Sequence, residues 1–315
     1  MEYRSLGKTG INVSRLCFGT LTIGPLQAGL SIKKGAYLIR EACEEGINFF
    51  DTAETYKNYQ QLYEAFKGIH PKPVVATKSY AYKKEDMELS LISALKNMGL
   101  EVIDIFLLHE QESELTIKGH CPALEYLLRA KQKGYIRAVG ISCHTVAAVK
   151  GALKFPEIDI IHPMINIKGI GIKDGTLEEM LEALEMVEQN KTGIYGMKPL
   201  GGGHLIGSYK EALNFALSLE FLDSIAVGIQ SKGELIINKA IFSGEPVPED
   251  YKEKVNTKPR KLVIGSWCEG CGKCVSNCPQ NALQLKDSRV SVIEKECTLC
   301  GYCGAYCMEM CLKIF

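Results

Sequence analysis

The sequence predicts an α/β fold, a (β/α)8 TIM barrel followed by a small cysteine-rich α+β module. Eight short runs of four to eight residues, rich in β-branched or aromatic types, alternate with longer segments whose apolar positions recur three and four apart. Eight such units specify a parallel sheet closed on itself. The module declares itself by its thiols: nine of the 13 cysteines lie in the last 48 residues.

The opening TGINVSRLCFGT starts as a small hairpin. The barrel strands expected after it are RLCFG (15–19), INFFDT (47–52), VVATK (74–78), DIFLLH (104–109), IRAVGIS (136–142), DIIHPMIN (159–166), GIYGMKPL (193–200) and IAVGI (225–229). Between them, KKGAYLIREACEEG, KEDMELSLISALKNMG and TLEEMLEALEMVEQN carry helical spacing and close on Gly or Asn, residues that tolerate the turn ending a helix. The Pro- and charge-rich stretch SGEPVPEDYKEKVNTKPRK breaks the pattern and reads as a connection. The chain thus divides into a barrel at 1–242, a connection at 243–261 and a tail domain at 262–315. A tail of about 50 residues is too small to hold a core unaided, so it is expected to need its metal to fold.

Lys plus Arg equals Asp plus Glu at 37 each, so neither nucleic acid nor an acidic membrane surface is an expected partner. The start MEYRSLGKTG lacks the apolar core of a signal segment, and no apolar run approaches the roughly 20 residues of a spanning helix. A cytoplasmic location is expected. The odd cysteine total and short spacings argue against a secreted disulfide scaffold and for metal ligation in a reducing compartment. The scattered Cys17, Cys43, Cys121 and Cys143 read as buried core residues.

Catalytic groups of such barrels gather where strands end. Three successive strands close on ionisable residues, Asp51, Lys78 and His109, and Tyr56 follows on the loop after Asp51. The physical reading is a proton donor with a tuned pKa. A free tyrosine titrates near about 10, too high for efficient proton exchange near neutrality. An ammonium about 4 Å away favours the phenolate by about 4 kcal/mol at an effective dielectric of about 20, enough to lower Tyr56 by roughly two to three units. Asp51 would hold Lys78 in place, and His109 would orient a substrate carbonyl. The GGG at 201–203 offers backbone N–H groups to a phosphate.

Taken together, YRSLGKTGINVSRLCFGT, NFFDTAETY, VVATKS, FLLHE, VGIS and KPLGGG resemble the aldo-keto reductase superfamily, in consistent order over residues 1–242. The resemblance implies that Asp51, Tyr56, Lys78 and His109 form a catalytic tetrad with Tyr56 as general acid. It implies NADPH or NADH as cofactor, a small-molecule carbonyl substrate, and no metal in the barrel. It also implies cofactor contacts from Ser142, His162, Lys198, Pro199, Leu200, Gly201, Gly203, Ser231, Lys232 and Asn238, with Ser231 and Lys232 at a phosphate and Asn238 at the adenine. Three positions depart from the family's nicotinamide pocket: Cys143 where an Asn often follows the Ser, His162 where a Gln is usual, and Met197 where a Tyr often stacks on the ring.

In the tail, C-x2-C-x2-C-x3-C occurs twice, in WCEGCGKCVSNCP and in CTLCGYCGAYC. This resembles the bacterial two-cluster ferredoxin arrangement, in which each run gives three ligands to one cluster and its fourth to the other. The resemblance assigns Cys268, Cys271, Cys274 and Cys307 to one [4Fe-4S] cluster, and Cys297, Cys300, Cys303 and Cys278 to a second. Structural zinc also takes four cysteines, but usually as dyads separated by a longer loop. Met308 stands where the second run would have its proline, and Cys311 adds a ninth thiol, read as a core residue, a spare or an alternative fourth ligand.

The first functional expectation is therefore an NAD(P)H-linked oxidoreductase of the aldo-keto reductase type with two [4Fe-4S] clusters for electron transfer. Hydride carries two electrons together and a cluster takes one; a flavin usually mediates, and no dinucleotide-binding fingerprint for one is present. The alternatives are a ferredoxin-fed reductase whose barrel binds substrate without nicotinamide, and a non-catalytic electron-transfer or redox-sensing subunit. A ferredoxin or another redox protein is the candidate partner.

Overall fold

A short antiparallel hairpin, β1 (Tyr3–Ser5) with β2 (Asn12–Ser14), leads into eight parallel strands. These are β3 (Leu16–Gly19), β4 (Phe49–Asp51), β5 (Val74–Ser79), β6 (Ile103–Gln111), β7 (Ile136–Cys143), β8 (Ile160–Pro163), β9 (Gly193–Met197) and β10 (Ser224–Gly228), and they close into a barrel with β10 beside β3. The computed structural model describes residues 1–252 and 260–314, so residues 253–259 of the expected connection lie outside the described residues.

Alternate residues of a strand face the same side, and here that parity positions the site. Cys17, Phe49, Val74, Ala76, Ile105, Leu107, Ala138, Ile160, Tyr195 and Ala226 point inward and form one buried cluster with Leu6, Ile11 and Val13 around the hairpin. The opposite parity, including Phe18, Phe50, Val75, Phe106, Leu108, Val139 and Ile161, packs outward against the helices. Following the inward parity to the last layer of each strand leads to Asp51, Lys78, His109, Ser142, His162 and Met197. Apolar filling thus gives way to polar side chains at one rim.

The helices lie close to where the periodicity puts them, at Ile32–Glu44, Lys84–Met98 and Leu177–Gln189. Thr176 opens the last of these with a reciprocal cap: its hydroxyl accepts from the Glu179 N–H and the Glu179 carboxylate accepts from the Thr176 N–H. Two strands end differently from expectation. GIYGMKPL stops at Met197 because Lys198 turns left-handed, φ 56°, and DIFLLH runs on through a register shift to Gln111 with Glu110 at φ 49°. Non-glycine residues in this region are held there by their surroundings, and both flank the mouth of the barrel.

In the tail, β11 (Leu262–Ile264) pairs with β14 (Leu312–Ile314), and β12 (Leu283–Lys286) forms a hairpin with β13 (Arg289–Val292). The two cysteine runs fold alike. In each, a positive-φ glycine, Gly272 at 74° or Gly301 at 80°, opens a short helical turn, Lys273–Ser276 or Tyr302–Tyr306. Cysteines and aliphatic side chains share the two small cores: Cys274 and Cys303 with Leu283 and Val290 in one, Cys297 with Ala282 and Leu299 in the other.

The tail lies on the barrel's polar rim. Gln27 Nε2 donates to the Leu299 carbonyl (3.1 Å), His204 Nε2 lies 2.7 Å from the Cys297 carbonyl, and the Gln280 side-chain amide lies 2.8 Å from His144 Nδ1. Gly202, at φ 71°, meets the tail backbone so closely that a Cβ there would lie 2.0 Å from the Thr298 carbonyl oxygen. Gly202→Ala is therefore expected to cost about 1–3 kcal/mol through backbone strain alone and to loosen the docking. Amide hydrogen exchange across residues 298–302 should accelerate by about tenfold or more; unchanged exchange would contradict the contact.

Candidate active site

Lys78 and Asp51, on adjacent strands, are 1% and 4% exposed. The ammonium donates to both carboxylate oxygens at 2.7 Å and to the Thr52 carbonyl at 2.8 Å, which uses all three of its hydrogens. Asp51 also accepts from the Tyr195 hydroxyl at 3.0 Å. A buried charge needs this degree of pairing, and removing one partner from such a pair typically costs about 3–5 kcal/mol.

Tyr56 sits beside the pair, with Lys78 Nζ over its ring at 5.2 Å from the centroid. The cation thus meets the π face, and its hydrogens are spent elsewhere. The expected lowering of the Tyr56 pKa is not what this arrangement produces. Burial pushes the phenol well above its usual range, and Tyr302, Asp51 and Glu110 add to the rise. Tyr56 is a neutral hydroxyl in hydrogen-bond reach of the Tyr302 hydroxyl.

His109 packs between aromatic rings. It stacks on Tyr80 at 4.2 Å, meets Tyr56 edge-on at 6.2 Å, and meets Tyr302 from the tail at 6.5 Å. Burial, then the charge of Lys78, drives its pKa well down, so the ring is neutral, and its Nδ1 has no hydrogen-bond partner. His162 stacks on Tyr195 at 3.8 Å, and its Nδ1–H donates to the Tyr195 carbonyl at 2.6 Å. Burial pushes His162 down to about 3, so Nε2 carries no proton; it lies 3.6 Å from Asp51 Oδ2.

An open cleft, with about 1100 Å³ of empty space counted out into solvent, lies over this floor. Asp51 and Tyr56 line it, as do the expected cofactor residues His162, Lys198, Pro199, Leu200, Gly203 and Asn238, together with Met197. Four other expected residues do not line it. The Ser142 hydroxyl accepts from the Glu110 N–H (2.9 Å), Ser231 caps the helix Lys232–Phe242, Lys232 pairs with Glu41, and Gly201 turns away. The glycine run is not the open phosphate cradle expected of it. The Gly201 N–H donates to the Lys198 carbonyl and the Gly203 N–H to the Leu200 carbonyl, both at 2.9 Å, while the face of Gly202 abuts Thr298. Its small residues serve close approach of the tail instead.

The roof of the cleft comes from the tail, with Thr298, Leu299 and Cys300, and from Arg260 at the end of the connection. None of these is visible as a barrel-site residue in the sequence, nor is Tyr302, because tail and barrel read as separate units. Only the positive-φ Lys198 and the three glycines beside it mark the place, and neither says what arrives there.

The cysteines gather in two crossed sets. Cys278, Cys297, Cys300 and Cys303 together line a second pocket, and their charges act on one another. Cys307 falls with Cys268, Cys271 and Cys274. The fourth cysteine of each run accepts an N–H from the residue four further on, Ala282 to Cys278 Sγ at 3.3 Å and Cys311 to Cys307 Sγ at 3.2 Å. Cys311 is itself 2% exposed, and its thiol lies beside Cys268 and Cys307. Among the described residues no three His, Cys, Asp or Glu side chains close on a single metal ion; a [4Fe-4S] cube instead takes four cysteines around a larger body.

Comparison with known proteins agrees with this architecture. The model of the aldo/keto reductase family matches residues 15–220, and that of the 4Fe-4S binding domain matches residues 262–284. L-galactose dehydrogenase of Arabidopsis thaliana is 28% identical over 220 residues, 65% of this chain and 67% of that protein. L-glyceraldehyde 3-phosphate reductase of Escherichia coli is 26% identical over 235 residues, 66% of this chain and 64% of that protein. The chain thus spans about two thirds of either relative. Among solved structures, a putative aldo-keto reductase from Pseudomonas aeruginosa superposes with TM-score 0.66 at 22% identity over 77% of this chain and 94% of that one; this likeness concerns the fold. The chain belongs to the aldo/keto reductase family of oxidoreductases and carries a 4Fe-4S binding domain at its C-terminal end.

Proposed function

We propose that the protein interconverts a small carbonyl compound and its alcohol at Tyr56, using NADPH or NADH, with two [4Fe-4S] clusters bound in the tail for electron transfer. The observation that carries this reading is that Cys300 and Tyr56 line one cleft. An aldo/keto reductase barrel working independently of its tail would not need that apposition.

In this reading the Tyr56 hydroxyl donates its proton to the carbonyl oxygen. Asp51 and Lys78 hold the floor rigid beneath it, and the cation over the ring favours the phenolate left behind. His109, neutral and wedged between rings, fixes the wall behind Tyr56. The cleft suits a dinucleotide in part: Lys198 and Arg260 would face its phosphates, Asn238 its adenine, and the bare His162 Nε2 the carboxamide. A nicotinamide there would supply the hydride. The crossed cysteine sets would each hold one cluster, which supplies single electrons. A ferredoxin or another redox protein would meet the first set, where Cys271 is exposed.

One observation favours a second reading. With two glycine amides spent and Thr298 on Gly202, the phosphate side of the family's cofactor site is altered, as expected of a reductase fed by the clusters alone.

Tyr56→Phe should lower carbonyl reduction by about 10²–10⁴-fold, the usual worth of a general acid, while the visible absorbance of the clusters is unchanged; retained activity refutes the role. Because burial raises the Tyr56 pKa above its usual value of 10, the acid form persists on the alkaline side. The pH profile of kcat should show no alkaline fall below pH 10, and a fall near neutrality would point to a different proton donor. Cys271→Ser should halve the bound iron and spare the cluster of the second set; an unchanged iron count would remove the ligand assignment.

A further inference from the structure

The cleft and the pocket among Cys278, Cys297, Cys300 and Cys303 share a wall. Thr298, Leu299 and Cys300 line both. Lys198 stands at this wall. It lines the cleft, and its positive charge acts on both Cys297 and Cys300. The first cysteine set has different neighbours: Cys268 feels Arg289, and Cys274 feels other thiols of the tail.

Lys198 also has donors to spare. Among the described residues, the one hydrogen-bond contact of its ammonium is His144 Nε2 at 3.3 Å. A lysine can only donate, so Nε2 accepts, Nδ1 keeps the ring proton, and the Gln280 amide must turn its oxygen to Nδ1. The other charges around Lys198 are Glu110, Lys78 and Lys173. Glu110 accepts from the Tyr80 hydroxyl at 2.6 Å, Lys173 pairs with Glu112 at 2.6 Å, and Lys78 is bound to Asp51. The carboxylates lining the cleft are engaged as well, Asp51 by Lys78 and Glu234 by the Gln230 N–H at 2.6 Å. What the cleft offers a ligand at this wall is the Lys198 amine, whose pKa burial lowers and a bound anion would raise.

We infer that Lys198 binds the anionic group of the cleft's ligand, a carboxylate or a phosphate, and that the same ammonium couples this ligand to the group held by the second cysteine set. The inference rests on the reading that those four cysteines hold a [4Fe-4S] cluster. The physical basis is charge. Reduction adds a negative charge to the cysteine-bound group, which a nearby cation favours, and an anion that engages Lys198 reduces that help. Because coupling between two sites is reciprocal, the reduced state binds the anion more weakly by the same factor.

Lys198→Met keeps most of the length of the side chain and removes its charge. The full-length protein, reconstituted anaerobically, is titrated potentiometrically with EPR detection, and Cys271→Ser identifies the signal of the first set. The expected result is a fall in the second cluster's midpoint by about tenfold in the oxidised-to-reduced ratio, about 59 mV for one electron, with the first unchanged. Both clusters present with no shift, or both shifted alike, overturns the coupling. A wild-type protein that binds only four irons and lacks the second signal overturns the underlying cluster reading instead.

The ligand arm uses pyruvate, neutral acetone as its control, and NADP⁺. A lowering of the second midpoint in wild type but not in Lys198→Met supports the inference. Pyruvate as the cause identifies a substrate carboxylate, and NADP⁺ a dinucleotide phosphate. No effect from either anion, or an equal effect from acetone, overturns the assignment of an anion to Lys198.

Discussion

The backbone contact between Gly202 and Thr298 fixes how closely the tail approaches the barrel. A side chain at Gly202 would hold Thr298 away, Leu299 and Cys300 would withdraw from the cleft, and Gln27 and His204 would lose their carbonyl partners. The consequence is chemical. A rim that in a free barrel would face water instead faces the wall of a cysteine-lined pocket.

Under that roof the electrostatics are those of a dry site. Asp51 and Lys78 satisfy each other so fully that little of the lysine's hydrogen-bonding capacity reaches Tyr56, and burial then dominates the phenol's pKa. The same burial keeps His109 and His162 neutral. Desolvation, more than a lysine-tuned acidity, sets the state of the Tyr56 phenol, a distinction that residue identities alone cannot make.

The barrel was legible because its signals are local: short β-branched and aromatic runs for the strands, helical spacing between them, and ionisable residues ending successive strands at Asp51, Lys78 and His109. The crossed cysteine sets were legible because their spacing is a motif. What escaped was the meeting of the two units. Tyr302 lies between two cysteines of a ligand run and carries no sign that its ring will sit against His109. The glycines at 201–203 have the right composition for a phosphate turn, and their tertiary use differs because a 3-10 turn spends two of their amides and Thr298 covers the third residue. Contacts made across about 100 to 200 residues of chain follow from packing, which local patterns do not encode.

In the proposed function, the two-electron chemistry of the family and the one-electron chemistry of iron–sulfur groups would meet at the wall that the cleft shares with the pocket of Cys278, Cys297, Cys300 and Cys303. No helix among the described residues is long and apolar enough to cross a membrane. In crystals of the iron-loaded protein, iron anomalous scattering would locate each cluster directly. The account predicts four irons within Cys278, Cys297, Cys300 and Cys303, against the cleft that holds Tyr56, and four more within Cys268, Cys271, Cys274 and Cys307 on the far side of the tail. Irons of the second set standing away from the cleft, or the first set lying nearer to Tyr56, would contradict it.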